Sequence, residues 1–477
     1  MMVWKETTKP IFTEEAPEEL EREKQFESGA DQFTYIEKTK GRDGEIKEKV
    51  KVSIEKVTDY LLSRYYFKTI FGSKGDTIYL YENGIYNLRA RELIKTQVES
   101  LLRSKCSNHI VAEVFEKIKR KTAIDKEEFD KIPEELICLN NGIFNIKTKE
   151  LISHNPEYYF KTKLDIDYDS ENKNEKIVNF IEEVCYPENV PVIQEWLGFC
   201  LYRKYFIKKA MILFGEKNTG KTVFLNILTK FIGGQKNFSG ISLQRIASKD
   251  KFSISFLKDK LINVYDDLSS DDLKDAGGFK IAVGGGYATG EHKFGDSFQF
   301  LNYAKNIFAT NTIPSVNDID DDAYYERWMP IPFDNQVEGE KQDNFLFDKI
   351  TTPEELSGLL NWALQGLSRL LENGKFSYNK DSDEIKKIMQ RQSNPLVAFA
   401  QDVLIRDDGN KISKENMFRI YSKWCQDKGV PRMSKEQIGR NLAKHTNYMI
   451  SKGGKERIWE NVNVRNNHDT FDTFLKT

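Results

Sequence analysis

An eight-residue segment in the middle of the chain constrains its fold more than any other feature. The segment is Gly215-Glu216-Lys217-Asn218-Thr219-Gly220-Lys221-Thr222, with the apolar run AMILF before it and VFLNILTKFI at helical spacing after it. Glycines let a backbone curl until several N–H groups point at an anion, while Lys221 adds a charge and Thr222 offers a hydroxyl to Mg²⁺. All eight residues are therefore predicted to surround a nucleotide, in a phosphate-binding loop between a strand and a helix. A plain glycine-rich turn is the alternative.

A second apolar run ends in two carboxylates. The run LINVY spans 261–265 and is followed directly by Asp266 and Asp267, about 45 residues after Lys221. An enzyme that hydrolyses a bound nucleotide needs such a strand, because carboxylates hold the water shell of Mg²⁺ and activate the attacking water. We assign Asp266, together with Thr222, to the metal and Asp267 to the water. The alternative is a solvated turn, because acidic residues continue after this pair.

Two further strand-like runs carry candidate catalytic residues. NIFATN ends at Asn311, where a polar side chain can hydrogen-bond the γ-phosphate or the lytic water, although Asn before a Pro turn is also ordinary loop chemistry. Arg327 lies just before MPIPF, and a guanidinium brought from a neighbouring subunit would stabilise charge in the transition state. An ion pair with Glu326 or Asp322 is the alternative for this arginine. The predicted catalytic set is Lys221, Asp266, Asp267, Asn311 and Arg327.

The order of apolar and helical stretches predicts several domains. Between 205 and 335, apolar strands alternate with helical stretches, which is typical of an α/β sheet covered on its faces. In the preceding region Asn83-Gly84 lies between two strand-like runs and predicts a hairpin. The predicted parts are a mobile charged lead-in at 1–50, an N-terminal α/β and helical module at 51–204, the nucleotide-binding motor at 205–335, a helical segment and linker at 336–392, and a small basic domain at 393–477.

Composition limits the kinds of partner that the whole chain can bind. The 477 residues include 72 Lys and Arg against 74 Asp and Glu, so a global basic field is absent and nucleic-acid contact must come from local patches. The five cysteines are scattered without a C-x-x-C pair, which favours reduced thiols over a zinc site or a disulfide framework. The first residues resemble no signal peptide, and no apolar run is long enough to span a membrane. We therefore expect a soluble, cytoplasmic protein without a membrane partner.

The last 85 residues carry a local basic surplus on a recognisable pattern. Two helical stretches and a third, SKEQIGRNLAKH, precede two strand-like runs around Gly453-Gly454, which is the order of a winged helix-turn-helix. Residues 411–457 contain 12 Lys and Arg and 4 Asp and Glu, so the local charge is 12 − 4 = +8. Such a surplus suits a DNA backbone, although a merely solvated face is the alternative. The candidate DNA-binding residues are Arg440 and Lys444 on the third helix and Lys452 and Lys455 beside the turn.

The ordered motifs together resemble a known family, the superfamily 3 helicases of viruses, phages and plasmids. The resemblance is to the phage/plasmid primase-helicase branch that includes the poxvirus primase-helicase, and it covers roughly residues 75–470. It is carried by LNNGIFNIKTKELISHNPEYYFKTKLDIDYD, IQEWLGFCLYR, GEKNTGKT, VYDDL, GGGYATGEHKFGDSFQFLNYAKNIFATNTIPSVND and RWMPIPF. The ordered set is far more specific than any one of these motifs.

The resemblance implies an AAA+-like core and a hairpin that touches DNA in the pore of a ring. The matching hairpin is ATGEHKFGDSFQF, in which Lys293 occupies the basic position and His292 is a possible helper. The alternative for Lys293 is a solvated turn. Relatives often carry two arginines before the last strand, whereas here Glu326 precedes Arg327, which leaves one arginine as the finger. The family also implies hexamers and 3′ to 5′ movement.

The sequence thus predicts an α/β protein: a P-loop NTPase core of the AAA+-like, superfamily 3 type, with an α/β N-terminal module and a C-terminal winged helix. Its expected function is that of an ATP-dependent replicative DNA helicase of a virus, phage or plasmid-type element. ATP and Mg²⁺ are the expected cofactors, and single-stranded and forked DNA, further copies of the chain and an optional primase or polymerase are the expected partners. The alternatives are an ATP-switched initiator or loader that binds origin DNA, and a P-loop ATPase that acts on protein.

Overall fold

The computed structural model of the chain describes residues 30–465, apart from 41–44, 73–74, 270, 292–294, 317, 319–320, 336–342, 344, 429–431, 446–448 and 454–455. The chain divides into two compact units, residues 1–163 and 164–477. None of the helices in the described part is long and apolar enough to cross a membrane. The domain boundaries drawn from the sequence stay predictions.

In its described residues, the first unit consists of small antiparallel sheets and four α-helices. Its strands are β1 (Thr34–Lys40), β2 (Ile46–Val52), β3 (Phe67–Ile70), β4 (Thr77–Glu82), β5 (Ile85–Asn87), β6 (Leu136–Cys138), β7 (Ile143–Asn145) and β8 (Glu150–Ile152). Its helices are α1 (Ile54–Arg64), α2 (Ala90–Leu102), α3 (Asn108–Lys121) and α4 (Lys126–Phe129). The sheets pair as β1-β2, β3-β4-β5 and β6-β7-β8.

Two antiparallel strand pairs in this unit can be compared with the predictions from its sequence. Asn83 and Gly84 connect β4 to β5 with φ of 51° and 84°, so the predicted hairpin is confirmed in the conformation that Asn-Gly favours. The β1-β2 hairpin occupies part of the predicted mobile lead-in. Lys38–Glu48 and Lys51–Glu37 form ion pairs across it, and these charged side chains hide the apolar alternation by which a strand is recognised.

The second unit is built around a parallel sheet. Its first helices are α5 (Glu175–Val184), α6 (Val190–Leu201), α7 (Lys221–Phe231), α8 (Leu243–Ala247), α9 (Lys251–Ser255), α10 (Gly277–Ala282), α11 (Asp322–Tyr325), α12 (Leu346–Ile350), α13 (Pro353–Asn373) and α14 (Ser382–Ser393). Its strands up to this point are β9 (Ala210–Phe214), β10 (Phe238–Ser239), β11 (Ile262–Tyr265), β12 (Tyr287–Glu291), β13 (Ser297–Leu301), β14 (Lys305–Thr310) and β15 (Trp328–Pro332).

Five of these strands form one sheet in the order β10-β11-β14-β9-β15, and every pair in it is parallel. All residues of β9 and β14 are buried, as expected for central strands covered on both faces. The predicted α/β fold with strands at AMILF, LINVY, NIFAT and MPIPF is confirmed. The two-residue strand β10 was not predicted, because it is too short to show any periodicity.

Two helices outside the sheet pack against each other at close range. Gly198 of α6 and Gly366 of α13 lie where a Cβ would press on the backbone of the facing helix; at Gly366 the Gln194 carbonyl oxygen would be 2.5 Å away. Glu195 is fully buried at this crossing and accepts hydrogen bonds from Arg369 at 2.6 Å and from the Ser377 backbone at 2.7 Å. The buried charge is therefore paired and hydrogen-bonded.

The C-terminal part combines three helices with an antiparallel sheet. It contains α15 (Pro395–Val403), β16 (Leu404–Ser413), α16 (Lys414–Lys428), α17 (Lys435–His445), β17 (Met449–Gly453) and β18 (Glu456–Val464), and its strand order is β16-β18-β17. The three helices and the last two strands were predicted. Strand β16 was missed, because its start was read as the end of α15; it is fixed by pairing with β18, about 60 residues later, as in Leu404↔Val464.

One buried lysine lies between the sheet and the helices that precede it. Lys305, the first residue of β14, is completely buried, and its ammonium donates a hydrogen bond to the carbonyl oxygen of Tyr202. The rings of Phe199 and Tyr205 lie 4.7 and 5.7 Å from its Nζ. Burial lowers the pKa of Lys305 to about 7, because the charged form is poorly solvated.

This lysine predicts a specific pH dependence of stability. Its pKa is about 7 in the folded chain and about 10.4 in an unfolded one, so between these values the unfolded state binds more protons. The free energy of unfolding of wild type should therefore rise with pH relative to Lys305→Met, by at most about 1.4 kcal/mol per pH unit. Denaturant unfolding at several pH values between about 7 and about 10 measures this difference, because these values lie between the folded and the unfolded pKa. The matched control is Lys208→Met, since Lys208 is exposed and its replacement should change the unfolding free energy by the same amount at every pH. A difference between wild type and Lys305→Met that does not change with pH would contradict the expectation.

Candidate functional site

The glycine-rich loop lies where the sequence predicted it, between β9 and α7. Gly215 has φ of 148°, and a Cβ there would overlap the carbonyl oxygen of Phe333 on the neighbouring strand's end. Gly220 has φ of 86° and its Cβ would lie 2.8 Å from a methyl carbon of Val184. Both positions need glycine, because the backbone is left-handed and the space for a side chain is taken. Asn218, at φ of 62°, is a third left-handed position in the loop.

Lys221 is buried and folded back onto its own loop. Its ammonium donates to the carbonyl oxygens of Gly215 and Glu216 at 2.8 and 2.6 Å and to the Thr219 hydroxyl at 3.2 Å. Burial lowers the pKa of Lys221, while nearby carboxylates, that of Asp266 foremost, oppose the change. The lysine is therefore a cation that the loop holds with weak neutral partners, which a phosphate would readily replace.

The predicted metal ligands lie together. The Thr222 hydroxyl donates to Asp266 Oδ2 at 2.7 Å, which places two hard oxygen atoms side by side at the end of β11. In the described part of the chain no group of three or more His, Cys, Asp or Glu side chains is arranged to hold a metal. Mg²⁺ suits such an open site, because it is usually bound by one or two protein oxygens and completes its shell with water and phosphate.

Asp267 and Asn311 line one cleft together with the loop. Asp267 has φ of 51°, and its N–H donates to Asp266 Oδ1 at 2.8 Å, so the tight turn directs the second carboxylate differently from the first. Asn311 follows β14, and both residues line a cleft of about 450 Å³ with the loop residues from Lys217 to Val223. The cleft therefore brings together the loop, both carboxylates and Asn311.

Arg327 lies away from this cleft. Its carbonyl accepts a hydrogen bond from the Ala210 N–H at 2.7 Å, so it stands at the beginning of β9 and β15 rather than at their ends. The five residues of β9 separate this edge from the loop by about 16 Å at roughly 3.3 Å per residue. Its guanidinium donates to the Ala323 carbonyl, and its buried Nε has no hydrogen-bond partner among the described residues. Within one chain, Arg327 does not join the other predicted catalytic residues.

Two residues beside the loop were not predicted. Asp334 follows β15, and its Oδ1 lies 3.5 Å from the position of a Cβ on Gly215. Tyr186, after α5, donates its hydroxyl to Asp334 Oδ2 at 3.1 Å. The negative charge of Asp334 also opposes the lowering of the Lys221 pKa that burial causes. A signal for Asp334 was present in the sequence. The carboxyl ends of parallel strands meet at one edge of a sheet, so the residues after MPIPF could have been expected beside the loop, like those after LINVY.

The predicted DNA-binding residues are only partly within the described chain. Strands β12 and β13 form an antiparallel hairpin at the predicted place, but His292 and Lys293 lie outside the described residues. Arg440 is exposed on α17. Lys444 belongs to α17 and Lys452 to β17, but their side chains, and the whole of Lys455, lie outside the described part. The assignments of these residues stay predictions.

Three protein-family models match the chain. They are described as "D5 N terminal like" over residues 2–201, "Poxvirus D5 protein-like" over residues 391–475, and a family of unknown function (DUF5906) over residues 213–327. The two D5 models lie at opposite ends of the chain and together cover more than half of it. The predicted resemblance to the phage and viral primase-helicase family, on its poxvirus D5-like side, is thus confirmed. This likeness suggests a replication function of helicase type.

Comparison with solved structures finds similar chains at low sequence identity. The apo structure of the NrS-1 C-terminal region is 16% identical, with a TM-score of 0.47 over 85% of this chain and 98% of that one. A second apo form of the same region gives 16% identity and a TM-score of 0.46, covering 85% and 99%. No curated protein matches the chain.

The loop geometry predicts which glycine tolerates a side chain. Gly215→Ala should cost about 1 to 3 kcal/mol more unfolding free energy than Gly234→Ala, because a Cβ at 215 overlaps the Phe333 backbone. Gly234 is the matched control, since its φ of 69° is also left-handed but its Cβ would meet nothing within 4 Å. Thermal or denaturant unfolding of both variants checks the difference. Equal losses would show that Phe333 does not confine Gly215.

Proposed function

We propose that the chain is a P-loop NTPase of the AAA+-like, superfamily 3 type that hydrolyses ATP to translocate on single-stranded DNA and unwind duplex. One observation carries the proposal: Lys221, the Thr222–Asp266 pair, Asp267 and Asn311 share one cleft. These are the groups that nucleotide hydrolysis requires, namely a phosphate-binding cation, oxygen ligands for Mg²⁺, a carboxylate for water and a polar sensor.

The strand order supports the same conclusion. The loop follows β9, the sensor strand β14 lies directly beside it, and the carboxylate strand β11 lies one further away. In an open parallel sheet, ligands bind outside the carboxyl ends of the strands, where connections diverge to either side. The chain reaches this point at β9, which has β14 on one side and β15 on the other.

The residues of the cleft have separate roles in the proposed hydrolysis. Lys221 exchanges its loop carbonyls for the β- and γ-phosphates, and the N–H groups of the loop and of the first turn of α7 hold the phosphate oxygens. Thr222 and Asp266 would hold Mg²⁺, which neutralises charge on the phosphates when bound. Asp267 orients the attacking water and accepts its proton, while Asn311 hydrogen-bonds the water or the γ-phosphate.

Arg327 supports a site that is shared between copies of the chain. Because it stands at the opposite edge of the sheet from its own loop, it can reach a γ-phosphate only on another subunit. Its side chain is partly exposed, and the contact of its guanidinium with the Ala323 carbonyl is a neutral hydrogen bond that a phosphate could replace. A ring, hexameric by family resemblance, would bring each Arg327 to the next subunit's cleft, where such an arginine raises the rate about 10³- to 10⁵-fold in other NTPases.

Contacts to DNA are proposed for two places. The first place is the β12-β13 hairpin, since His292 and Lys293 come between its two strands in the sequence and a lysine contacts phosphates without reading sequence. The C-terminal part has the order helix, strand, helix, helix, strand, strand, which is that of a winged helix, and Arg440 is exposed on its third helix. Lys444, Lys452 and Lys455 complete the proposed DNA-binding set, with forked DNA as the substrate and a primase or polymerase as an optional partner.

DNA-stimulated ATPase and strand-displacement assays test the motor. We expect wild type to hydrolyse ATP faster with single-stranded DNA and to unwind a tailed duplex, and Lys221→Ala to lose both activities by at least about 10²-fold, because the loop loses its phosphate cation. Lys293→Ala should keep basal hydrolysis but lose most of the DNA stimulation. Equal stimulation in Lys293→Ala and wild type would remove the hairpin from the proposal.

The same assays distinguish the alternatives. An ATP-switched initiator or loader would bind origin DNA without displacing a strand, and its DNA binding would survive Asp267→Asn, which should stop hydrolysis while sparing ATP binding. An ATPase that acts on protein would show no stimulation by DNA. If wild type shows no ATP-dependent strand displacement, the motor function is wrong and one of these two alternatives takes its place.

Mixing two inactive variants tests whether Arg327 acts between subunits. Arg327→Ala retains its loop and Lys221→Ala retains its arginine, so mixed rings contain some complete sites. We expect the ATPase rate to fall by at least about 10²-fold in Lys221→Ala alone and by at least about 10³-fold in Arg327→Ala alone. The mixture should recover a substantial fraction of wild-type activity. If the mixture is as inactive as its two components, Arg327 does not complete the site of a neighbouring subunit.

A further inference from the structure

The glycine-rich loop has a carboxylate on each of its two sides. On one side lie Asp266 and Asp267, which the proposed mechanism uses. On the other side lies Asp334, delivered by the end of β15, with its Oδ1 beside Gly215. Asp334 is exposed, and the proposed mechanism gives it no task.

Asp334 is held in place from two directions. Its backbone follows Phe333, whose N–H donates to the Phe214 carbonyl oxygen at 2.8 Å, so β15 continues its pairing with β9 up to the loop. Its Oδ2 accepts the Tyr186 hydroxyl at 3.1 Å. This hydrogen bond and the charge of Asp334 raise the pKa of Tyr186 above its ordinary value, so the hydroxyl stays a donor.

The same side of the loop is braced by the end of α5. Val184 of α5 would lie 2.8 Å from a Cβ on Gly220, so the helix rests against the second glycine of the loop. Asn335 donates its amide to the Glu183 carbonyl oxygen at 2.5 Å. Asp334 is therefore fixed beside the loop by Tyr186 on one side and by its neighbour Asn335 on the other.

Lys221 lies between these carboxylates. Its ammonium donates to the Gly215 carbonyl oxygen at 2.8 Å, and Asp334 Oδ1 lies 3.5 Å from the Cβ position of the same glycine. Burial lowers the pKa of Lys221, and the charges of Asp266, Asp334 and Asp267 oppose this change. Nucleotide phosphates would enter the same space and bind the same cation. Asp266 and Asp267 would be balanced by Mg²⁺ when it binds, whereas Asp334 lies beside Gly215 and is not among the residues that would hold the metal.

We propose that Asp334 is a positioning residue that competes with nucleotide phosphates for Lys221, and that Tyr186 holds its carboxylate in the competing orientation. The inference rests on the proposed binding of a nucleotide triphosphate at this loop. The pair weakens ATP binding, and it does so more strongly for ATP than for ADP, because the triphosphate carries the greater negative charge. Its consequence is a site that does not hold nucleotide too tightly to turn over.

Nucleotide binding to full-length variants tests this competition. A unit charge several ångströms away, partly screened by solvent, corresponds to roughly a five- to tenfold change in affinity. We expect Asp334→Asn to bind ATP roughly five- to tenfold more tightly than wild type and ADP by a smaller factor. Both factors should shrink at high salt, since the effect is electrostatic. Asp334→Glu, which keeps the charge, should behave as wild type.

Two further variants separate this role from a general loss of charge or of structure. Tyr186→Phe should tighten ATP binding in the same direction but by less, and the double variant should bind no more tightly than Asp334→Asn alone, because both changes act on one carboxylate. Glu372→Gln, at the exposed end of α13 and outside the cleft, removes the same charge and should leave affinity unchanged.

The outcomes are distinguishable. Unchanged or weaker ATP binding by a folded Asp334→Asn protein overturns the inference, and weaker binding of ATP and ADP by the same factor would make Asp334 a contact to the nucleoside instead. Equal tightening of ATP and ADP at every salt concentration also overturns it, since a purely structural change would act in that way. Failure of wild type itself to bind ATP would defeat the proposed function, and not the competition alone.

Discussion

The site depends on the parallel pairing of β9 with β14 on one side and with β15 on the other. Because the strands run in the same direction, the chain leaves each of them at one edge, and the loop, Asp266, Asn311 and Asp334 meet there although more than one hundred residues separate Gly215 from Asp334. The same pairing determines what is kept apart. Arg327 precedes β15 and therefore stands at the opposite edge, and this position is the basis of the proposed site shared between subunits.

The helical layer behind the sheet has little freedom to shift. Gly198 and Gly366 let α6 and α13 approach until their backbones touch, and the buried Glu195 accepts hydrogen bonds from Arg369 and from the backbone and hydroxyl of Ser377. Such polar groups are costly when unpaired, so they select one relative position of the two helices. A rigid support of this kind suits a cleft whose groups must stay within hydrogen-bonding distance of one nucleotide.

Charge is distributed unevenly around the loop. Lys221 is a buried cation with neutral oxygens as its hydrogen-bond partners and carboxylates on both sides. In the proposed mechanism a nucleotide would replace the neutral partners of Lys221 in a cleft that also contains carboxylates, rather than fill a purely basic pocket. The acidic residues would then have two opposed effects, since Asp266 would favour a divalent cation while Asp334 would oppose the phosphates. The balance between them, more than the loop motif itself, would set how long a nucleotide stays.

The sequence by itself determined the local elements and their chemistry. GEKNTGKT requires left-handed glycines between a strand and a helix whatever surrounds it, and Asp266, Asp267 and Asn311 follow apolar runs that read as buried strands without knowledge of their neighbours. Only the tertiary structure decided which strands are adjacent, and hence that Asp334 and Tyr186 belong beside the loop and Arg327 does not. It also decided that residues 404–413 form β16, because that strand exists through pairing with β18 far along the chain. The physical reason is the same in each case: periodicity and turn chemistry act over a few residues, whereas strand pairing joins segments whose separation leaves no trace in local spacing.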